Sequence, residues 1–320
     1  MMRAAMLLPV ALLLSSCAGF LGGSGGEAVF ASAQAAFDAG DHDKAVEFLG
    51  GDAIRRLPRR RRAQAYDILG QSYQRQGDLM KALRTLQLAE GLYPRDINIL
   101  SDLAYTLRRS GLDDRARPYY ERVLEIHPNN AFGNMGIADI YRRQGLLAKS
   151  EFHYEKALEE EGWDINPDIW RAYAEVLAER QKFEEASAAI QKSLSINRDV
   201  ESLLSLARIQ RMTGMWKESH SRMDEASAAA PERVDLRLQK ALWLLEDGRE
   251  GEALDLASEI IALEPADALA RWVRASALLR RGEIEEARAD LGAAAAAERK
   301  SPFVSRVARS MLEELSRAGR

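Results

Sequence analysis

The chain has 320 residues, 47% of them hydrophobic and 29% charged, with a formal net charge of -4. This composition excludes wholesale disorder, and the mild negative balance excludes a broad electrostatic footprint for nucleic acid. The single cysteine, Cys17, excludes an internal disulfide in any compartment.

Arg3 gives a short positive start, and residues 4–14 (AAMLLPVALLL) form an apolar run too short to span a bilayer as a mature helix. Small residues then lead to Leu14-Ser15-Ser16-Cys17. This segment resembles the lipobox of bacterial lipoprotein signal peptides. The resemblance implies a diacylglyceryl thioether on Cys17, cleavage before it and acylation of the new amine, so that residues 1–16 are a signal peptide. The alternatives are an ordinary signal peptide, or a cysteine that merely follows an apolar run. Two or three acyl chains give stable membrane attachment. Ala18, with no aspartate after the cysteine, implies by the same resemblance the outer membrane, facing the periplasm. Residues 17–27 then read as the lipidated cysteine and a flexible linker, since residues 19–27 (GFLGGSGGE) are glycine-rich. About ten such residues reach roughly 17 Å.

Ala33, Phe37, Gly40, Ala45 and Leu49 follow as a degenerate copy of the pattern described next. Between that copy and the first clear one lies a basic run, residues 55–62 (RRLPRRRR). It reads either as a solvated connector into a helix or as a contact for anionic lipid headgroups near the anchor.

Residues 62–96 carry Leu69-Gly70, Tyr73, Gly77, Ala82, Leu86, Ala89 and Pro94 in order. Leu69 and Tyr73 share one helical face, and Gly70 sits where a larger side chain would push a second helix away. Gly77 supplies the left-handed conformation of a helix stop; Ala82, Leu86 and Ala89 stripe a second helix, which Pro94 ends. The turn marker recurs as Gly111, Gly145, Gln181, Gly214, Gly248 and Gly282, at intervals of 34 except for one of 36 and one of 33. The small residue seven before it recurs as Ala104, Ala138, Ala174, Ala207, Ala241 and Ala275. These residues resemble the tetratricopeptide repeat, a helix–turn–helix unit of about 34 residues. The chain is accordingly expected to be all-α: a right-handed solenoid of antiparallel helix pairs, about eight repeats over residues 28–300. That expectation overrides the two globular domains that length alone suggests.

In such arrays the second, fifth, ninth and twelfth positions of each unit line a concave groove. Carried over by resemblance, they give Asn98, Tyr105, Arg108, Asp139, Arg142, Arg171, Glu175, Arg208, Arg211 and Trp272 as partner-contact candidates. The arginines form a ladder able to pair a partner's carboxylates, or Asp139 and Glu175 neutralise that ladder from within. The asparagine clamp that some family members use for a C-terminal carboxylate is missing: the ninth position holds Gln71, Tyr105, Asp139, Glu175, Arg208 and Leu242. Trp170 and Trp216 are expected in the core, and Trp243 and Trp272 are candidates for partner contact. An irregular joint at residues 159–167 ends in Asn166-Pro167, a helix cap and first position. Residues 301–320 open on Ser301-Pro302 and carry an apolar stripe of Phe303, Val304, Val307, Ala308, Met311, Leu312 and Leu315. The stripe reads as a capping helix, with dimerisation as its rival use.

No catalytic, metal or cofactor constellation stands out. His42, His127, His153 and His220 lack metal-ligand spacing, and the glycines are single helix stops rather than a phosphate loop. The lipobox and array together resemble envelope lipoproteins that assist type IV or Flp-type pili and secretins, and also those of outer-membrane assembly and polysaccharide export. The resemblance implies a scaffold that holds a protein or peptide in its groove and the membrane through acylated Cys17, with no nucleic acid, small-molecule substrate or catalysis.

Overall fold

The computed structural model describes residues 24–318, and the regular elements among these are seventeen α-helices and one short 3-10 turn. Cys17 and the expected signal peptide lie outside the described residues. The chain divides into two compact units, Met1–Ile140 and Tyr141–Arg320. The first holds α1 (Ser24–Asp38), α2 (His42–Phe48), the 3-10 turn Ile54–Arg56, α3 (Arg59–Gln76), α4 (Leu79–Leu92), α5 (Ile97–Arg109), α6 (Asp113–Ile126) and most of α7 (Ala131–Arg143). The second continues with α8 (Leu147–Leu158), α9 (Pro167–Glu179), α10 (Phe183–Ile196), α11 (Val200–Met212), α12 (Trp216–Ala229) and α13 (Val234–Glu246). It ends with α14 (Glu250–Leu263), α15 (Ala268–Arg280), α16 (Ile284–Ala296) and α17 (Pro302–Ala318).

Each repeat is a pair of helices closed by a tight stop and a cap. Gly77 ends α3 at φ 81°, its N–H bonding Gln74 O while the Asp78 N–H reaches back to Tyr73 O at 2.9 Å. The Asp78 side chain then accepts the Lys81 N–H at 3.1 Å, which starts α4. Gly70 has the role its spacing predicts: a Cβ there would lie 2.5 Å from Leu86 Cγ, and Leu86 is fully buried. Gly136 on α7 does the same for α6, since its Cβ would fall 2.2 Å from the buried ring of Tyr120. The degenerate first copy is a true pair, with Ala33, Ala45 and Leu49 in one core cluster with Ile54 and Leu57.

The expected linker stops short. Helix α1 begins at Ser24, four residues before the predicted boundary, because Glu27 suits its first turn and Gly26 lies flat against Leu57, where a Cβ would be 3.3 Å from Cδ2.

In the second unit the marker without glycine, Gln181, still takes the left-handed turn at φ 62°. Its neighbours Arg180 and Lys182 both reach back to Glu151 of α8, whose side chain is 8% exposed, with Lys182 Nζ at 2.7 Å. Two ion pairs flank the strained residue and hold the turn. In the long joint, Asn166 caps α9 with Pro167 behind it, as the sequence predicts. Trp170 fastens the joint by donating its Nε1–H to Asp164 O at 2.7 Å. At the end of the chain α17 caps the array: Val304, Met311, Leu312 and Leu315 pack on the α15–α16 core. Ser305 Oγ also donates to Ala294 O at 2.9 Å. Most of the stripe thus packs on the last repeat. Phe303 departs from it at 73% exposure, because position two of the helix faces away from α16.

Candidate partner groove

The groove candidates sit on the first helices α5, α7, α9, α11 and α15. In the first unit the Arg108 guanidinium pairs with Asp139, and the same cation lies 5.6 Å from the Tyr105 ring. Tyr105 also stands 6.1 Å from Phe132 and lines a cleft of about 300 Å³ with Gln71, Gln74 and Arg109. Asn98 is exposed on the rim of a neighbouring cleft of about 390 Å³, walled by Phe37, Tyr93, Asp67 and Gln71.

In the second unit Arg142 binds Glu175 at 2.6 Å and Glu179 at 2.6 Å, which stabilises its charged form despite burial. Arg171 binds Asp168 at 2.7 Å, and Glu175 also accepts the Ser205 hydroxyl at 2.6 Å. Arg211 forks onto Asp247 at 2.7 and 3.0 Å and touches Glu246 at 2.8 Å. The hydrogen bonds from Arg211 hold the Asp247 carboxyl below its usual range, and His220 Nε2 at 2.7 Å adds to this. The arginine ladder is therefore neutralised from within. For Arg108, Arg142 and Arg211 the carboxylates come from the following repeat, and for Arg171 from its own helix, so a partner's carboxylates would find these cations already engaged. Arg208 differs: its side chain is exposed and makes no ion pair among the described residues. Trp272 is half-buried against two core clusters, a wall of the array more than a free contact.

Two tryptophans exchange their expected roles. Trp243, expected to meet a partner, is 6% exposed and packs with Leu203, Leu204 and Met223. Trp216, expected in the core, is 50% exposed, because the position two after the turn is half-open and an indole is too large to cover there. The Arg211 guanidinium lies between the two rings, 4.8 Å from Trp216 and 5.1 Å from Trp243. Trp216 thereby walls an open cleft of about 1010 Å³ with Met212, His220 and Asp224, and Met212 and Met215 beside it are each about half exposed.

One feature of the groove escapes the positional rule. Asp67 of α3 and Asp102 of α5 face each other, and Gln71 Nε2 donates to both carboxyls, at 3.3 and 2.9 Å. Burial pushes Asp67 up to about 6. Burial and then the Asp67 charge push Asp102 well above the carboxylate range. Asp67 is the fifth position of the first clear repeat, where the rule reaches it; Asp102 lies one residue past the rule, so spacing alone does not pair them.

Residues 69–131 and 135–200 match the family model for the tetratricopeptide repeat. The chain is 30% identical over 99 residues to mouse protein O-mannosyl-transferase TMTC1, an alignment covering 30% of this chain and 10% of that protein. The chain thus spans about a tenth of the length of the curated relatives it matches. Among solved structures, a tetratricopeptide repeat protein from Parabacteroides merdae superposes with TM-score 0.59 at 20% identity, over 78% of this chain and 97% of that one. PilW, described as a widely conserved type IV pilus biogenesis factor, superposes with TM-score 0.58 at 17% identity, over 66% of this chain and 96% of that one. At these identities the likeness is one of fold: an all-α tetratricopeptide solenoid.

Proposed function

We propose that the chain is a lipid-anchored tetratricopeptide scaffold that holds a protein partner in a bacterial envelope assembly, with pilus or secretin biogenesis as the favoured machine. The observation that carries the binding role is the state of the first-helix face. Ion pairs, most of them between consecutive repeats, fix its wall, while Tyr105 and Asn98 line clefts of side-chain size and Arg208 is exposed. A wall already ordered spares a partner part of the entropy cost of docking. The likeness in fold to PilW supports the choice of machine, and outer-membrane assembly or polysaccharide export by an accessory lipoprotein is the alternative. Self-association through α17 is the weaker reading, since Met311 and its neighbours already pack, partly buried, on the last repeat. The stretch shared with the transferase is about a tenth of that protein, so this reading gives the chain the repeat and no transferase chemistry.

The anchor rests on Leu14-Ser15-Ser16-Cys17, and with it the placement in the outer membrane facing the periplasm. A fatty-acid analogue should label the wild-type chain in cells, and Cys17→Ala should abolish the label; persistent labelling removes the anchor. Affinity capture from detergent-solubilised envelopes should recover an envelope protein, whereas recovery of cytosolic proteins alone overturns the scaffold role.

A further inference from the structure

The basic run at residues 55–62 splits into two sets of arginines. Three are drawn into the fold. Arg59 donates to Leu92 O at 2.7 Å, Arg62 to Leu57 O at 3.0 Å, and Arg61 lies 4.9 Å from the Phe30 ring and 3.4 Å from Glu27. The other three, Arg55, Arg56 and Arg60, point into solvent. Among the described residues their one ion pair is that of Arg55 with Asp52, at 3.5 Å from a side chain that is 81% exposed, and Arg60 stands at the edge of the cleft that also holds Asp67 and Asp96. Among the described residues the six arginines thus form ion pairs with two carboxylates, Asp52 and Glu27, on a chain whose net charge is negative. The first turn of α3 carries no acidic residue, so the positive end of its dipole adds to the field.

We infer that the turn carrying Arg55, Arg56 and Arg60 is a docking surface for anionic lipid headgroups, a second foothold beside Cys17. The inference rests on the lipid-anchor reading and adds a surface to it. Geometry selects a bilayer over an acidic protein. The start of α1 lies directly on the basic turn: Glu27 touches Arg61, and a Cβ on Gly26 would come 3.9 Å from the Arg56 backbone. Six residues lie between Cys17 and Ser24, and the seven steps from one to the other span no more than about 25 Å even fully extended. An acylated Cys17 therefore keeps this patch within a short tether of the headgroup layer, where positive charge is attracted over about one Debye length, roughly 8 Å. The two contacts act together: the acyl chains raise the local concentration of lipid, and the arginines set how the first repeats lie on the surface.

The test uses the full chain partitioning onto phosphatidylcholine vesicles and onto phosphatidylcholine mixed with phosphatidylglycerol. The ratio of the two affinities cancels the contribution of acyl chains and apolar residues. Replacing Arg55, Arg56 and Arg60 by Gln should lower that ratio roughly a hundredfold at low salt, at about fivefold per arginine. High salt should abolish the difference. A control with Lys217→Gln, Arg299→Gln and Arg306→Gln removes the same charge from other exposed positions, and should lower the ratio far less. Circular dichroism should be unchanged in both variants. An equal loss in the control overturns the patch in favour of net charge. A wild-type chain that binds polyglutamate but shows no preference for phosphatidylglycerol assigns the arginines to an acidic protein and overturns the proposal. Fatty-acid labelling at Cys17 is read separately, so a chain that is unlabelled yet prefers phosphatidylglycerol keeps the patch and loses only the anchor.

Discussion

Replacing Asp67 by Asn should make the first unit more stable at alkaline pH and little different in acid. Asp67 and Asp102 face each other beneath Gln71, and burial lifts Asp67 from the ordinary carboxylate range to about 6. A carboxyl raised in the folded state keeps a proton that the unfolded chain gives up. Stability from this group is full below about pH 4, falls as pH rises towards about 6, and stays low above that. A shift of about two units at about 1.4 kcal/mol each sets the loss at roughly 3 kcal/mol. Asn removes the titration but keeps the shape, and its amide offers a donor to Asp102. Urea titrations followed by circular dichroism at about pH 4 and about pH 8 should show Asp67→Asn gaining roughly 2–3 kcal/mol on the wild type between the two. All five tryptophans lie after residue 141, so indole fluorescence in the same titrations reads the second unit as an internal reference. A gain that is the same at both pH values, or a loss at both, would show that the two carboxyls do not share a buried site.

The other predictions follow from packing and backbone. Gly136→Ala drives a methyl group into the buried Tyr120 ring and should destabilise by about 1–3 kcal/mol in urea titration, more than an alanine at open Gly91. Gln181→Gly relieves a left-handed residue and should stabilise by about 1 kcal/mol, read as a raised urea midpoint with unchanged slope. Glu151→Gln leaves Arg180 and Lys182 without their carboxylate, and since both cations are about a third exposed it should cost about 1 kcal/mol; no measurable change would show that the pairs are loose surface contacts.

The helix pairs were legible because each depends on local constraints. A residue such as Gly77 is needed for a left-handed stop, and Gly70 for a close approach measured in tenths of an ångström. Gln181 shows the limit of the glycine marker and also why spacing still found the turn: flanking ion pairs, not backbone freedom, hold it. The wiring of the groove was less legible. Arg108 and Asp139 are 31 residues apart, Arg211 and Asp247 are 36 apart, and which side chains meet depends on the rotation of one first helix against the next. The sequence left the ladder open between a partner and an internal carboxylate, and the structure places the internal one. Trp216 and Trp243 went wrong for a related reason. Their offsets from the turn fix a helical face, but not whether the neighbouring repeat has side chains large enough to cover an indole.

The central claim is that the first-helix face holds a protein partner, and a photo-crosslinking residue tests it most directly. Placed at Arg208, exposed on that face, it should give a discrete adduct with an envelope protein in intact cells, and placed at Arg299, exposed elsewhere, it should give none. The same adduct from both positions, or none from Arg208 while the chain still folds, would contradict it.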